Sequence, residues 1–429
     1  MLLIFPEYLQ FAAYSLGMYP RIIGDHVANG MKSKFGILLL GPRQTGKSTL
    51  LNGIVNNHPA RTKLIYRFNE LDTHRSIVSD PSRIKRSVLG SLPDGDVLLF
   101  IDEVQYIPEV LNDCQTILDR YSDKVTVLLT GSSARKIKSR GANLLPGRLL
   151  HYNLHPLTCA ELGISEAAES RILPDVLPLD HETQFGGNLE DILTYGTLPG
   201  VCDLPGDLRR EILGAYTTTY LQEEIRMEAL ARKLGGFSRV LEHAAIESGN
   251  VMNYSSMSQD IGVPVSTMRN YFDLLLDTLI LIRIPAYTRN ARRRLIKSPK
   301  LLFFDTGVRN AAASLELNPE RLLKSQAGTL FEQFVTLEIY RRIQYTPGCS
   351  WRLAYWRTTS GAEVDLVVDK GDSVIPIEVK YTENPRPADA RHLKTFMNEY
   401  DAPEGYLVCR CRNVERLAEN IYAVPWRVI

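Results

Sequence analysis

The residues Gly41-Pro42-Arg43-Gln44-Thr45-Gly46-Lys47-Ser48 fit the pattern G-x-x-x-x-G-K-[ST] in full. They follow an apolar run and open a helical pattern, and together with Thr49 they are the expected nucleotide-binding residues. The two glycines let the backbone curl so that its N–H groups converge on phosphate oxygens. The N-terminus of the following helix adds positive potential there. Lys47 is placed to reach β- and γ-phosphates, and Ser48 to bind Mg²⁺. Further along, Val97-Leu-Leu-Phe-Ile carries an acidic pair, Asp102 and Glu103, at its end. Asp102 is expected to orient the Mg²⁺ shell, and Glu103 to polarise the attacking water. The next apolar run ends in Thr130-Gly131-Ser132-Ser133, where Thr130 or Ser132 can sense a γ-phosphate. Arg135 and Arg148 follow it, and either can contact a γ-phosphate in cis or across a subunit interface. The guanine-reading element N-K-x-D does not occur, which favours ATP over GTP.

A second set of chemically capable residues lies near the C-terminus. Glu363-Val364-Asp365 and Glu378-Val379-Lys380 sit in two strand-like runs separated by Lys370-Gly371-Asp372. Paired antiparallel, these runs put the Asp365 and Glu378 carboxylates side by side. The two can then share Mg²⁺ or Mn²⁺ with the Val379 carbonyl, and Lys380 can stabilise the attacking water or the transition state. Glu332, on the preceding helical stretch, is a candidate additional ligand. The apolar flanks Leu366, Val367, Val368, Ile375 and Ile377 indicate buried strands, where a charge needs a partner.

Nucleic-acid contact rests on a local cluster, because the net charge of the 429-residue chain is only +1. Arg283, Arg289, Arg292, Arg293, Arg294, Lys297 and Lys300 fall in one stretch that contains no acidic residue. Just upstream, a helix Ser256-Ile261, a turn Gly262-Val263-Pro264 and a helix Ser266-Asp277 read as helix-turn-helix. Arg269 on the second helix is placed to face a groove. A hairpin, Leu279-Pro285 with Lys300-Phe304, follows.

These residues need elements to hold them. From Phe35 to Leu157 short apolar runs alternate with helical stretches: Gly36-Leu40, Lys63-Phe68, Val97-Ile101, Val125-Thr130 and Leu149-Leu154. That alternation predicts a parallel sheet covered by helices on both faces. Residues 158–250 contain a loop-rich stretch, Ile172-Gly187, and long helical patterns such as Leu208-Leu234, and read as a helical lid. The six cysteines are scattered, and the close pair Cys409/Cys411 lacks the further ligands of a zinc site, so reduced thiols are expected. The apolar N-terminal stretch has Glu7 and Pro6 but no basic leader, and Met18 is a plausible alternative start. No stretch is long and apolar enough to span a membrane, and a cytoplasmic location is expected.

With these segments in view, the chain resembles prokaryotic AAA-type P-loop ATPases that carry a C-terminal domain of unknown function similar to PD-(D/E)xK nucleases. The resemblance is carried by GPRQTGKSTL, LLFIDEVQ, LLTGSSARK, LPGR, KSPKLLFFDTG, GTLFEQFV, YWRTTSGAEVDLVV and IEVK. It implies a winged helix after the lid and, as AAA-type relatives commonly form rings, a homo-oligomer. The expected fold class is α/β: an N-terminal helical extension (1–30), a P-loop AAA-type domain (31–157), a helical lid (158–250), a winged helix (251–315) and an α/β PD-(D/E)xK nuclease-like domain (316–429). The expected function is an ATPase that couples nucleotide state to DNA binding or processing. Two alternatives stand beside it: an ATP-driven switch whose C-terminal domains bind protein partners without nuclease activity, and an ATP-dependent DNA-binding regulator with an inactive nuclease fold.

Overall fold

The computed structural model describes residues 19–132, 145–164, 188–220, 234–289, 298–346 and 348–429. The chain divides into two compact units, one of residues 1–155 with 277–279, the other of residues 156–276 and 280–429.

The first unit is a five-stranded, all-parallel sheet of β1 (Gly36–Leu40), β2 (Thr62–Arg67), β3 (Val97–Asp102), β4 (Val125–Gly131) and β5 (Leu149–Asn153), in the order β2-β3-β4-β1-β5. Strands β1 and β3 are buried at every position. This is why they read as unbroken apolar runs rather than alternating ones. Five helices are described here: α1 (Ile22–Gly30), α2 (Lys47–Asn57), α3 (Leu71–Ser79), α4 (Arg83–Ser91) and α5 (Val110–Tyr121). Helix α5 buries Val110, Leu111, Cys114, Ile117 and Leu118, a spacing that makes one helical face. They join Leu99, Ile101, Val127 and Leu129 in one core. All five strands expected from sequence are present, with ends within a residue of those read from the apolar runs.

The second unit begins with α6 (Leu189–Tyr195), α7 (Gly206–Ala215) and α8 (Leu234–Ile246). The helix-turn-helix follows as α9 (Tyr254–Ile261) and α10 (Val265–Asp277), then a two-stranded hairpin of β6 (Leu281–Ile284) and β7 (Lys300–Phe303). Asn253 caps α9 by accepting from Ser256 N, and Gly262 ends it in the left-handed region at φ 71°. Met268, Tyr271, Phe272, Leu274 and Leu275 make the buried face of α10. The loop-rich stretch 172–187 and the middle of Leu208-Leu234 lie outside the described residues.

Helix α11 (Thr306–Ala312) is fixed by an unusually close contact. Asp305 caps it, accepting from Val308 N at 3.0 Å, and also accepts from Thr197 N at 2.8 Å. A Cβ at Gly307 would lie 2.0 Å from Tyr195 O, and one at Gly196 would lie 2.0 Å from Asp305 Oδ1. The Phe-Phe-Asp-Thr-Gly sequence at 303–307 is therefore a docking device between α11 and the end of α6. The 27-residue α12 (Pro319–Tyr345) runs through the unit. Its buried Glu338 accepts from Cys159 N at 3.1 Å, and its Arg341 donates to Leu157 O, Thr197 Oγ1 and Phe304 O at 2.9, 3.0 and 2.9 Å. Glu338 and Arg341 are thus tied to backbone groups, whereas the fully buried Arg342 guanidinium has no hydrogen-bond partner.

The unit ends in a six-stranded mixed sheet of β8 (Arg352–Arg357), β9 (Glu363–Asp369), β10 (Val374–Val379), β11 (Gly405–Cys409), β12 (Glu415–Ala418) and β13 (Ile421–Pro425). Its order is β12-β13-β11-β10-β9-β8. Helix α13 (Arg391–Tyr400) lays Leu393 and Phe396 on one face of it, against Trp356, Val364 and Val367.

Candidate functional site

The Gly41–Ser48 loop joins the C-terminal end of β1 to α2. A Cβ at Gly41 would meet Leu154 O at 2.3 Å, so the strand exit admits no side chain there. Gln44 and Gly46 both have positive φ, 62° and 92°, which turns the loop back toward the helix N-terminus. Thr45 is buried and donates to Pro42 O at 2.9 Å. Lys47, also buried, donates to Gly41 O and Pro42 O at 2.8 and 2.9 Å, so its ammonium lies across the mouth of the loop. Arg43 reaches Tyr106 Oη at 3.4 Å, and Thr49 is exposed. Sequence reasoning missed Arg21. Its guanidinium donates to Thr45 O and His155 O, both at 2.6 Å, and ties the loop to the end of β5 from outside the motif.

Asp102 of the acidic pair meets this loop at Ser48. Ser48 Oγ lies 3.0 Å from Asp102 Oδ1, so the hydroxyl and carboxylate expected to share Mg²⁺ are adjacent. Asp102 is buried at the end of β3. The next residue, Glu103, turns into the left-handed region at φ 58°.

Thr130 and Ser132 take parts that the sequence did not suggest. Thr130 donates its hydroxyl to Asp102 Oδ1 and accepts from Glu103 N at 2.8 Å. It is buried and holds the acidic pair instead of presenting a hydroxyl to a phosphate. Ser132 Oγ accepts from Gln105 Nε2 at 2.9 Å, and the same nitrogen donates to Glu103 Oε2. Gln105 was also missed, although its place two residues after Glu103 was visible.

Arg148 precedes β5, and Leu149 is in register with Gly36 at the start of β1. The phosphate loop leaves the other end of β1, five residues on, or roughly 16 Å at about 3.3 Å per residue. That exceeds the reach of an arginine side chain, so contact in cis is excluded. Arg148 pairs instead with Asp119 on α5. Arg135 lies outside the described residues.

The C-terminal carboxylates also come together. Strands β9 and β10 are antiparallel, with Ile377 opposite Leu366, which brings Glu378 opposite Asp365. Gly371 at φ 96° closes the turn between them. Asp365 Oδ2 accepts from Val379 N at 2.8 Å. Glu378 is buried; its Oε1 lies 3.2 Å from Lys380 Nζ, while its Oε2 has no hydrogen-bond partner. Burial, with Glu332 and Glu378 nearby, raises the Asp365 carboxyl well above its ordinary value. Burial pushes Glu378 up to about 7 against the opposing pull of Lys380. Burial would lower the Lys380 ammonium, but the two carboxylates outweigh it and raise it. An orphaned, buried carboxylate oxygen beside a second carboxylate fits a bound cation.

Glu332 lies beside that pair and raises both carboxyls, but its Oε1 is engaged by a cation. Its Oε1 lies 3.1 Å from Lys300 Nζ, and Glu363 Oε1 lies 2.9 Å from the same ammonium. Among the described residues no three His, Cys, Asp or Glu side chains converge as a ready metal cluster. Glu332 is thus held on Lys300 beside the pair, and one expectation is corrected: Lys300 is buried in an ion-pair cluster instead of facing a phosphate. Arg289 donates to Tyr400 O at 2.7 Å and pairs with Asp401, and Arg269 stacks over Tyr254 with its guanidinium 5.1 Å from the ring centre. Arg283 is exposed on β6, whereas Arg292, Arg293, Arg294 and Lys297 lie outside the described residues.

Comparison with known proteins gives three matches along the chain: residues 33–163 match an AAA domain, residues 186–320 a domain of unknown function (DUF8612), and residues 327–429 a domain of unknown function (DUF4143). The AAA match implies ATP binding by the first unit. Similar whole proteins are uncharacterized proteins of Mycobacterium tuberculosis (strain ATCC 25618 / H37Rv) and Mycobacterium bovis (strain ATCC BAA-935 / AF2122/97). Each is 24% identical over 389 residues, covering 91% of this chain and 79% of the relative. An uncharacterized protein of Haemophilus influenzae (strain ATCC 51907 / DSM 11121 / KW20 / Rd) is 22% identical over 373 residues, covering 83% of this chain and 86% of the relative. Among the described residues no helix is long and apolar enough to cross a membrane.

Proposed function

We propose that the chain hydrolyses ATP at the Gly41–Ser48 loop and couples this to action on DNA through its second unit. The observation that carries the ATPase reading is the 3.0 Å contact between Ser48 Oγ and Asp102 Oδ1. It joins loop and acidic strand into one oxygen-rich site, the donor set that Mg²⁺ prefers. Mg²⁺ held there would supply charge neutralisation across the β- and γ-phosphates. Lys47 binds phosphate oxygens, Thr130 fixes Asp102 and the Glu103 backbone, and Glu103 takes a proton from water. Arg148, if it serves the reaction, serves a neighbouring copy in a homo-oligomer. Equilibrium binding of a fluorescent ATP analogue to Lys47→Ala, with and without Mg²⁺, tests the loop. Affinity should fall by about tenfold or more, the scale of a lost charge-assisted contact; unchanged affinity counts against it.

The Asp365–Glu378 pair, with Glu378 buried and Asp365 partly so, supports a second activity in the same chain: divalent-metal-dependent cleavage of a phosphodiester in DNA. Mg²⁺ or Mn²⁺ bound there would lower the pKa of coordinated water. Lys380, next to Glu378, offsets developing negative charge. Branched, single-stranded and duplex DNA incubated with Mn²⁺ and the protein test this reading. Cleavage that disappears in Asp365→Ala supports it. Metal binding without cleavage of any substrate favours an inactive nuclease fold, or a switch that binds protein partners.

A further inference from the structure

Lys300 stands at the start of β7 and is buried, with only 6% of its surface exposed. Its ammonium touches Glu332 at 3.1 Å and Glu363 at 2.9 Å, and sits 5.4 Å from the centre of the Tyr355 ring. A lysine enters such surroundings only when its charge is matched. The match comes from two side chains at the rim of the Asp365–Glu378 pair, Glu332 on α12 and Glu363 two residues before Asp365 on β9.

We propose that Lys300 is the resident cation of the C-terminal site: by holding Glu332 and Glu363 on its ammonium, it limits the site to one divalent ion, bound between Asp365 and Glu378. The inference rests on the metal reading of that pair and adds its stoichiometry. Two independent observations carry it. Glu378 Oε2 is the one buried carboxylate oxygen among the described residues that lacks a hydrogen-bond partner, so one acceptor stands open. Charge points the same way. Four carboxylates (Glu332, Glu363, Asp365, Glu378) face three cations: Lys300, Lys380 and Arg357, whose Nε lies 3.7 Å from Glu363. One divalent ion turns a small negative excess into a small positive one. A second would add two further positive charges beside a fixed ammonium, which low-dielectric surroundings penalise. In a two-ion site the place of Lys300 would hold metal, and Glu332 would be a ligand.

Mn²⁺ titration calorimetry on the full chain, paired with counting of bound Mn²⁺ by electron paramagnetic resonance, tests this. Wild type should bind one Mn²⁺ at this site, measured as the difference from Asp365→Ala so that the nucleotide site does not count. Lys300→Met should bind two, Lys300→Met/Glu332→Gln should return to one, and Lys300→Arg should keep one. Two ions on wild type, or one ion with unchanged affinity on Lys300→Met, overturn the inference and leave the metal reading intact. No Asp365-dependent ion on any variant overturns both. A second variant keeps the test decisive if Lys300→Met does not fold: Lys300→Gln, which keeps an amide donor beside Glu332 and Glu363 without the charge, should likewise bind two ions, and one ion on it overturns the inference.

Discussion

The Gln105 side-chain nitrogen lies 2.9 Å from Ser132 Oγ, and through the same nitrogen Gln105 donates to the Glu103 carboxylate. One buried amide thus links the end of β4 to Glu103, the residue proposed to activate water. A hydrogen bond to a charged group is worth about 1.5–3 kcal/mol, so Gln105→Ala should lower kcat roughly tenfold or more. KM for ATP should change little, because the amide touches none of Gly41–Ser48. Steady-state ATPase kinetics measure this, and an unchanged kcat would remove Gln105 from the machinery.

Metal binding at the C-terminal pair should depend on pH around neutrality. Burial lifts Glu378 from an ordinary 4.5 to about 7, so the folded chain holds a proton there that the unfolded chain has released. Between those two values stability falls as pH rises, and the contribution is lost above about 7. Mn²⁺ competes with that proton. Its affinity should therefore weaken as pH drops from 8 to 6, and added Mn²⁺ should raise the melting temperature more at pH 8 than at pH 6. Glu378→Gln should weaken both dependences, the raised carboxyl of Asp365 carrying what remains. Calorimetry and thermal scans read them, and pH-independent Mn²⁺ binding would contradict the assignment.

Gly307→Ala should destabilise the second unit by about 1–3 kcal/mol, the usual cost of overpacking. Its Cβ would meet backbone, Tyr195 O at 2.0 Å, which cannot rotate away. Denaturant unfolding followed by circular dichroism measures the loss; a wild-type midpoint would show that α11 shifts freely.

Much of this arrangement was legible in the residues, for physical reasons. Phosphate binding demands glycine at a strand exit and lysine at a helix start, so Gly41 and Lys47 announce their roles locally. Strands β1 and β3 are buried on both faces and write continuous apolar runs. The opposed positions of Asp365 and Glu378 follow from the short glycine turn at Gly371. Contacts that depend on distant chain segments were not legible. Lys300 reads as one more cation in a basic stretch, and only the fold shows that Glu332 and Glu363 surround it. Arg21 precedes the loop it braces and carries no motif. Thr130 looks like a phosphate sensor until the parallel register places its hydroxyl on Asp102. Arg148 looks equally well placed until the pairing of β5 with β1 puts it at the far end of the sheet.

That placement gives a sharp expectation for Arg148. In chains too dilute to associate, Arg148→Ala should hydrolyse ATP at the wild-type rate, because the arginine cannot reach its own loop and its surface pair with Asp119 contributes only about 0–1 kcal/mol. Where chains associate, kcat should fall while ATP affinity holds. Activity measured across a dilution series with sedimentation in parallel distinguishes the two. A loss in the monomer would contradict the strand register.

The most direct test of the central claim, that this chain hydrolyses ATP through Glu103, is phosphate release from ATP by wild type and by Glu103→Gln. The amide keeps the shape and the Gln105 contact but cannot take a proton. Wild type should release phosphate in the presence of Mg²⁺. Glu103→Gln should bind ATP with similar affinity and turn it over about a hundredfold more slowly or less, the scale of a lost general base. Equal rates in the two proteins, or no Mg²⁺-dependent phosphate release by wild type, would contradict the account.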